Sequence, residues 1–322
     1  MSDEIRIDAP AQTAPGDRDT DDCVQPYMID ATGLHGRMVK LGPSVQQILG
    51  RHGYPDAVNQ LLAEALALAA GLSAALKFDG VFTLQTKGDG PVPMLVADVT
   101  SDGKMRGFAQ IKGDVPPLHE SILAPIPKLL GEGYMAFTVD QGADMERYQG
   151  IVALEGATLE DCVQRYFEQS EQFASRVNLA AGKRPDGTMG AAALLVQRLP
   201  DEGGDHTQVA MADSDAWRRA VTLMGSAKDE EMLDPNLPPN DLLFRLFHED
   251  GVRVFPSRPI TDECRCSRER IETVLQAMDN AELQDLKLED GTLEVVCEFC
   301  SRKEVFTDDQ IKPSPDHPSA DS

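Results

Sequence analysis

Two short cysteine pairs near the C-terminal end constrain this chain more than any other feature. Cys264-x-Cys266, within DECRCSRER, is followed after thirty intervening residues by Cys297-x-x-Cys300, within VVCEFCSRK. Four thiolates delivered by two tight turns converge tetrahedrally on one zinc ion. A disulfide framework suits exported chains, but MSDEIRIDAPAQTAPGDRDTDD has no basic start followed by an apolar run. No secretory signal is read, and a cytoplasmic location is expected. A thioredoxin-type dithiol needs only one pair, and four ordinary core cysteines do not cluster in this way. The spacing therefore points to one zinc per chain on Cys264, Cys266, Cys297 and Cys300.

The segment 261–312 has 52 residues, too few for a self-sufficient core, so metal binding is expected to supply its folding energy. Structural zinc contributes about 10–16 kcal/mol in small modules, whereas whole domains are stable by about 5–15 kcal/mol. Thiolates are also what oxidants attack, and Arg265, Arg268, Arg302 and Lys303 are expected to favour the thiolate form. Oxidising either pair to a disulfide removes two ligands at once and leaves too few to hold the ion. Between the pairs the expected order is a helix, a shorter helix, a turn at Asp290-Gly291, and a strand delivering Cys297.

A zinc ribbon that binds DNA has a similar outline, and charge separates the two. The chain carries 30 basic and 54 acidic residues, a formal net charge of −24, and 261–312 alone holds 7 basic against 14 acidic. Such a surface repels phosphate backbones, which argues against a nucleic-acid partner and against a zinc-dependent transcription regulator. A membrane partner is not expected either. The segment AVNQLLAEALALAAGLSAALKFDG is mostly alanine, interrupted by Glu64 and closed by Lys77, and reads as a buried helix.

At 322 residues and 41% hydrophobic content, the chain is expected to hold one sizeable core and something smaller. Residues 1–25, with seven acidic residues against two arginines, are expected to form a disordered acidic tail in which Cys23 has no evident role. Residues 26–197 read as an α+β domain of antiparallel sheets with packed helices. Pro55 and Asp56 open its best helix. The alternating GVFTLQTKGDGPVPMLVADVTSDGKMRGFAQI follows, with hairpin turns at Gly88-Asp89-Gly90 and Asp102-Gly103. GYMAFTVDQGADMERYQGIVAL repeats that plan, with the charges of MERYQG read as a salt-bridged turn. In ATLEDCVQRYFEQSEQF, Thr158 stands as N-cap, and Leu159, Cys162, Val163, Tyr166 and Phe167 share a buried face. GAAALLVQRL reads as a closing buried strand.

Residues 198–260 are broken by glycine and proline pairs and read as a metastable helical linker. One short amphipathic helix places Trp217, Val221 and Met224 on a face; another packs Leu242, Leu243, Leu246 and Phe247 behind Asn240 as N-cap. Neither is long enough to be stable alone. If the zinc module unfolds, these helices are expected to loosen, freeing Trp217, Val221, Leu243, Phe244 and Phe247 as apolar surface. Residues 261–312 are the zinc-binding module, and 313–322 a disordered tail.

Taken together, RHGYPDAVNQLLAEALALAAGLSAALKFDGVFTLQTKGDGPV, DQGADMERYQGIVALEG, YFEQSEQ, LFHEDGVRVF and the two cysteine pairs resemble the thirty-three kilodalton heat shock protein family of redox-regulated chaperones. The resemblance spans about 27–312. It implies an ATP-independent holdase, inactive with zinc bound and activated by oxidants together with unfolding stress. It further implies a homodimer in the active form, unfolding client proteins as partners, and oxidised pairs of Cys264 with Cys266 and Cys297 with Cys300. Motifs for enzymes are missing: Gly88-x-Gly90 has Pro93 where a dinucleotide loop needs glycine, and HEDGV lacks the second histidine of a zinc protease. His35, His52, His119 and His248 are scattered and read as capping or surface residues. The alternative from another class is a thiol-disulfide oxidoreductase, which would turn over protein disulfides catalytically.

Overall fold

The computed structural model describes residues 5–6, 21–142, 145, 147–170, 174–198, 215–307 and 309–311. The early linker, 199–214, and the tail expected at 313–322 lie outside the described residues. Two compact units divide the chain, Met1–Asp262 and Glu263–Ser322.

In the first unit, strands β1 (Ile5–Arg6), β2 (Cys23–Ile29) and β3 (Leu34–Leu41) precede helices α1 (Pro43–Gly50) and α2 (Asp56–Ser73). A meander of β4 (Val81–Gly88), β5 (Met94–Thr100) and β6 (Lys104–Gln110) follows, then short helix α3 (Leu118–Ser121) and a π turn at Ile126–Leu130. The hairpin of β7 (Gly133–Asp140) and β8 (Tyr148–Ala153) leads to α4 (Leu159–Ser170), β9 (Ser175–Lys183) and β10 (Met189–Gln197). Helices α5 (Asp215–Met224), α6 (Asp229–Leu233) and α7 (Pro239–Phe247) come next. Short strands β11 (Val252–Val254), β12 (Arg258–Pro259) and β13 (Thr261–Asp262) end the unit.

The strands form two sheets. One runs β1-β11-β2-β3-β10-β9 with β12 also on β2; the other runs β13-β6-β5-β4-β7-β8. All pairings are antiparallel except β13 with β6. The expected second hairpin thus joins the same sheet as the first. Helix α2 is buried nearly all round because it packs on β3, β9 and β10 of one sheet and on β4, β5 and β6 of the other. Its small side chains allow that approach: a Cβ on Gly71 would lie 2.5 Å from Leu195 Cδ1. No helix among the described residues is long and apolar enough to cross a membrane.

Helix α4 begins as its sequence indicates. The Asp161 backbone N–H donates to Thr158 Oγ1 (3.2 Å), while the Asp161 carboxylate accepts from Ala157 and Thr158 N–H. Cys162 is fully buried, and that burial pushes its thiol up to about 11, which suits packing and not chemistry. Arg147 pairs with Asp140 at 2.8 Å beside the second hairpin turn.

Two expectations are corrected. The acidic N-terminal stretch is not wholly without structure to residue 25, because its acids have specific partners. Ile5–Arg6 pairs with β11. Asp21 takes two hydrogen bonds from the Arg184 guanidinium (2.7 and 2.8 Å). The Asp22 carboxylate accepts from the N–H groups of Gly42 (2.9 Å) and Ser44 (2.8 Å) and from the Ser44 hydroxyl, serving the start of α1 that Gly42 cannot cap. Cys23, next in line, is a buried strand residue. Replacing Asp22 by Ala should strand these donors and lower unfolding stability by about 1–3 kcal/mol, read from urea or thermal midpoints. The second correction concerns α7, where Pro238 is the N-cap and Asn240 lies inside the first turn. Proline's fixed φ and missing N–H suit that end.

Candidate metal centre and covered apolar face

The second unit contains α8 (Arg268–Gln276), α9 (Asn280–Asp285) and a hairpin of β14 (Leu293–Val296) and β15 (Lys303–Phe306). The Ser267 side chain caps α8 and that of Asp279 caps α9. Gly291, at φ 80°, makes the expected turn before β14. Cys264 and Cys266 lie in the loop before α8. Cys297 and Cys300 lie in the turn after β14, which folds back through Ser301 N–H to Cys297 C=O (2.8 Å) and Cys297 N–H to Arg302 C=O (2.9 Å). Ser301 takes the left-handed φ of 56° that the turn demands.

The structure brings all four sulfurs within 4.8 Å of one another. Cys264 Sγ is 3.8 Å from Cys297 Sγ, and Cys266 Sγ is 3.4 Å from Cys300 Sγ. Tetrahedral zinc with bonds of about 2.3 Å requires sulfur–sulfur edges of about 3.8 Å. None of the four cysteines is in a disulfide, and all are half-buried. Donor type, number and spacing therefore fit one tetrahedral metal ion, with Cys264, Cys266, Cys297 and Cys300 able to hold it.

Proton affinities within the cluster are split. Burial opposes ionisation of Cys264, but the Cys266 backbone N–H and the neighbouring thiols donate to it and bring it down to about 7. Burial and thiolate neighbours push Cys266 and Cys300 upward. Metal binding must therefore expel protons from the cluster.

The expected help from nearby cations takes a different form. Arg268 bonds Glu304 (3.0 Å) and stacks 4.2 Å over the Phe306 ring, and Lys303 pairs with Glu294 (2.8 Å). These cations knit the module, while N–H and S–H donors favour the Cys264 thiolate. The apolar centre of this unit is small: Leu275, Leu283, Leu293, Phe306 and Ile311 are its buried members.

In the first unit, α5, α6 and α7 cover the outer face of the seven-stranded sheet. Trp217, Met224, Met232, Leu243, Leu246 and Phe247 pack against Tyr27, Ile29, Leu34, Met38, Leu194 and Val196. The Tyr27 ring stacks on Phe247 with centroids 5.7 Å apart, and its hydroxyl donates to Leu195 C=O (2.9 Å). Gly36, paired across the strands with Tyr27, leaves room for that ring; a Cβ there would fall 2.0 Å from Tyr27 Cζ. The opposite sheet face, with Val39, Ala193 and Leu195, joins the α2 core.

Of the linker residues singled out from sequence, Trp217, Leu243 and Phe247 are buried in this cluster and Val221 is partly buried against it. Phe244 stands apart, half-buried with its ring against His248 at 5.3 Å. The sheet residues beneath the linker were missed; the alternation in CVQPYMI and the turn around Gly33 were the available signals. The four histidines converge on no site: His52 stacks on Tyr54, and His248 Nδ1 contacts Phe244 C=O at 3.1 Å.

A family model described as Hsp33 protein matches residues 22–307. A 33 kDa chaperonin of Caulobacter vibrioides (strain NA1000 / CB15N) is 39% identical over 295 residues, covering 90% of this chain and 96% of the relative. A 33 kDa chaperonin of Escherichia coli (strain K12 / DH10B) is 35% identical over 280 residues, 87% of this chain and 90% of the relative. Among solved structures, the crystal structure of the 33 kDa chaperonin (heat shock protein 33 homolog) from Thermotoga maritima matches with a TM-score of 0.74 at 23% identity, covering 90% of this chain and 96% of that one.

Proposed function

Because the chain belongs to the Hsp33 family, we propose that it is an ATP-independent molecular chaperone, silent while its four cysteines are reduced and metal-bound, and activated when they are oxidised. One combination carries this reading. Four sulfurs cluster in a unit whose described residues include five buried apolar ones at its centre, and the same chain carries linker helices over a largely apolar sheet face. The family is one of non-enzymatic chaperones, and the matched relatives lend no support to the oxidoreductase alternative.

The metal at this site would be zinc, one per chain, supplying folding energy to the second unit and no reaction step. With the metal bound all four sulfurs are thiolates, the form that a peroxide attacks. The pairs proposed to close are Cys264 with Cys266 and Cys297 with Cys300. Each S–S bond forms as two thiols give up two electrons and one peroxide becomes two waters. Bonding within each pair takes all four sulfurs from the ion, and so breaks up the cluster. The second unit then unfolds, the linker follows, and the sheet face with Tyr27, Ile29, Met38 and Leu194 is freed together with Trp217, Val221, Leu243, Phe244 and Phe247. Unfolding proteins bind there by apolar contact, while a net charge of −24 keeps the complexes soluble. Dimerisation of the active form, a cytoplasmic location, and the absence of nucleic-acid or membrane partners belong to the same proposal.

The test pairs metal content with an aggregation assay. Peroxide with mild heat should release about one zinc per chain, reduce helical circular dichroism, and bring suppression of client light scattering near one protein per client. Full activity with the metal retained would contradict the reading, and so would catalytic turnover of a protein disulfide.

A further inference from the structure

Lys40 is a buried cation on the sheet face under the linker, which is lined mainly by apolar side chains. This β3 residue is 1% exposed and lies between Cys23 of β2 and Ala192 of β10 in the strand register. Its Nζ donates to two linker carbonyls, Asp234 C=O at 2.5 Å and Leu237 C=O at 2.6 Å. Both belong to the turn that carries the chain from α6 to α7. No carboxylate pairs with Lys40 within 4.0 Å among the described residues, so a buried ammonium here has two neutral acceptors for three N–H groups. A neutral amine has two N–H groups, one for each carbonyl.

We propose that Lys40 is a positioning residue for the linker: its buried amine clasps the α6–α7 turn and ties the covering of the sheet face to one titrating group. The functional consequence rests on the reading that this face receives clients. Burial is the largest influence on the amine and lowers it to about 8, from the ordinary value of about 10.4. The charged groups facing it are Asp21, Asp234 and Cys23, which favour the cation, and Arg184, which opposes it. With the linker lifted, the amine returns to its ordinary value. Between about 8 and 10.4 the lifted state therefore binds more protons, and the seated state gains as pH rises, by up to about tenfold per pH unit. Below about 8 this dependence vanishes. The sign is the reverse of simple alkaline release, because deprotonation removes a buried charge and leaves both hydrogen bonds in place.

Trp217, the chain's single tryptophan, lies on linker helix α5, buried in the cluster it forms with the sheet face, and reports the linker's seating without any client. The experiment follows its emission through urea titrations of the reduced, zinc-loaded full chain from pH 7 to 10, in wild type, Lys40→Met and Lys40→Arg. Wild type should gain linker stability above pH 8, relative to both variants, with the stated slope. Lys40→Met has no proton to lose and Lys40→Arg never loses one; should one variant fail to fold, the other carries the comparison. Parallel profiles in wild type and either folded variant would overturn the proposal. If the slope appears but a Lys40 variant whose linker is lifted by the Trp217 criterion shows no holding activity while reduced, the clasp stands and the client-face reading fails.

Discussion

Chelation of the metal, with all thiols kept reduced, is expected to unfold residues 263–311 outright. Among its described residues the unit has five buried apolar residues, a hairpin of four-residue strands, and helices of nine and six residues. Isolated helices below about 12–15 residues are marginal in water, and a lone two-stranded hairpin is no better. Against that small core, a structural zinc contribution of about 10–16 kcal/mol outweighs everything else that holds the unit folded. Protease cleavage should appear between 263 and 311, and the helical signal of α8 and α9 should vanish. Readdition of zinc to the reduced chain should restore both. Replacing Cys297 by Ser removes the sulfur 3.8 Å from Cys264 and should weaken metal binding under reducing conditions, with the same cleavage pattern. A metal-free, reduced module that stayed helical and protease-resistant would refute the account.

That module was the most legible part of the chain because every element in it carries a local signal. Ser267 and Asp279 are capping side chains, Asp290-Gly291 turns the chain, and the cysteines fall in the loops on either side. Helix α2 was equally plain from its composition. The seven-stranded sheet was not. Strand β10 is legible as a buried strand from its apolar run, but with both faces covered it shows no alternation and so gives no sign of its partners. Strand β2 contains Pro26, which ordinarily speaks against a strand. Here Pro26 sits where the edge of β2 passes from β11, paired at Tyr27 to Ile29, to β12, paired at Cys23 and Val24. The proline's missing N–H falls in that gap. The roles of Arg268 and Lys303 differ from the sequence reading for a different reason: both lie close to cysteines in sequence, yet Arg268 pairs with Glu304 of β15 and Lys303 with Glu294 across the hairpin. Long-range pairing of this kind, like Lys40 with a turn almost two hundred positions away, leaves no local trace.

The same distinction decides which linker aromatic matters most, and Phe247→Ala is expected to activate the protein without oxidant. Phe247 is fully buried and stacked on Tyr27 over the glycine gap at Gly36, at the meeting of helix α7 and the sheet. Truncating such a residue costs about 3–5 kcal/mol, including the cavity left behind, and a stacked aromatic pair adds about 0.5–1.5 kcal/mol. Helix α7 has nine residues and cannot persist once its apolar face loses its seat. Reduced, zinc-loaded Phe247→Ala should therefore show red-shifted Trp217 emission, protease cleavage within 215–254, and suppression of client aggregation, with about one metal still bound per chain. Phe244→Ala is the matched control. Its ring leans on His248 outside the cluster, so truncation there should leave the linker seated and the reduced protein silent. If Phe247→Ala frees the linker by the fluorescence and cleavage criteria yet binds no client, the sheet face is not the binding surface, whatever the thiols do.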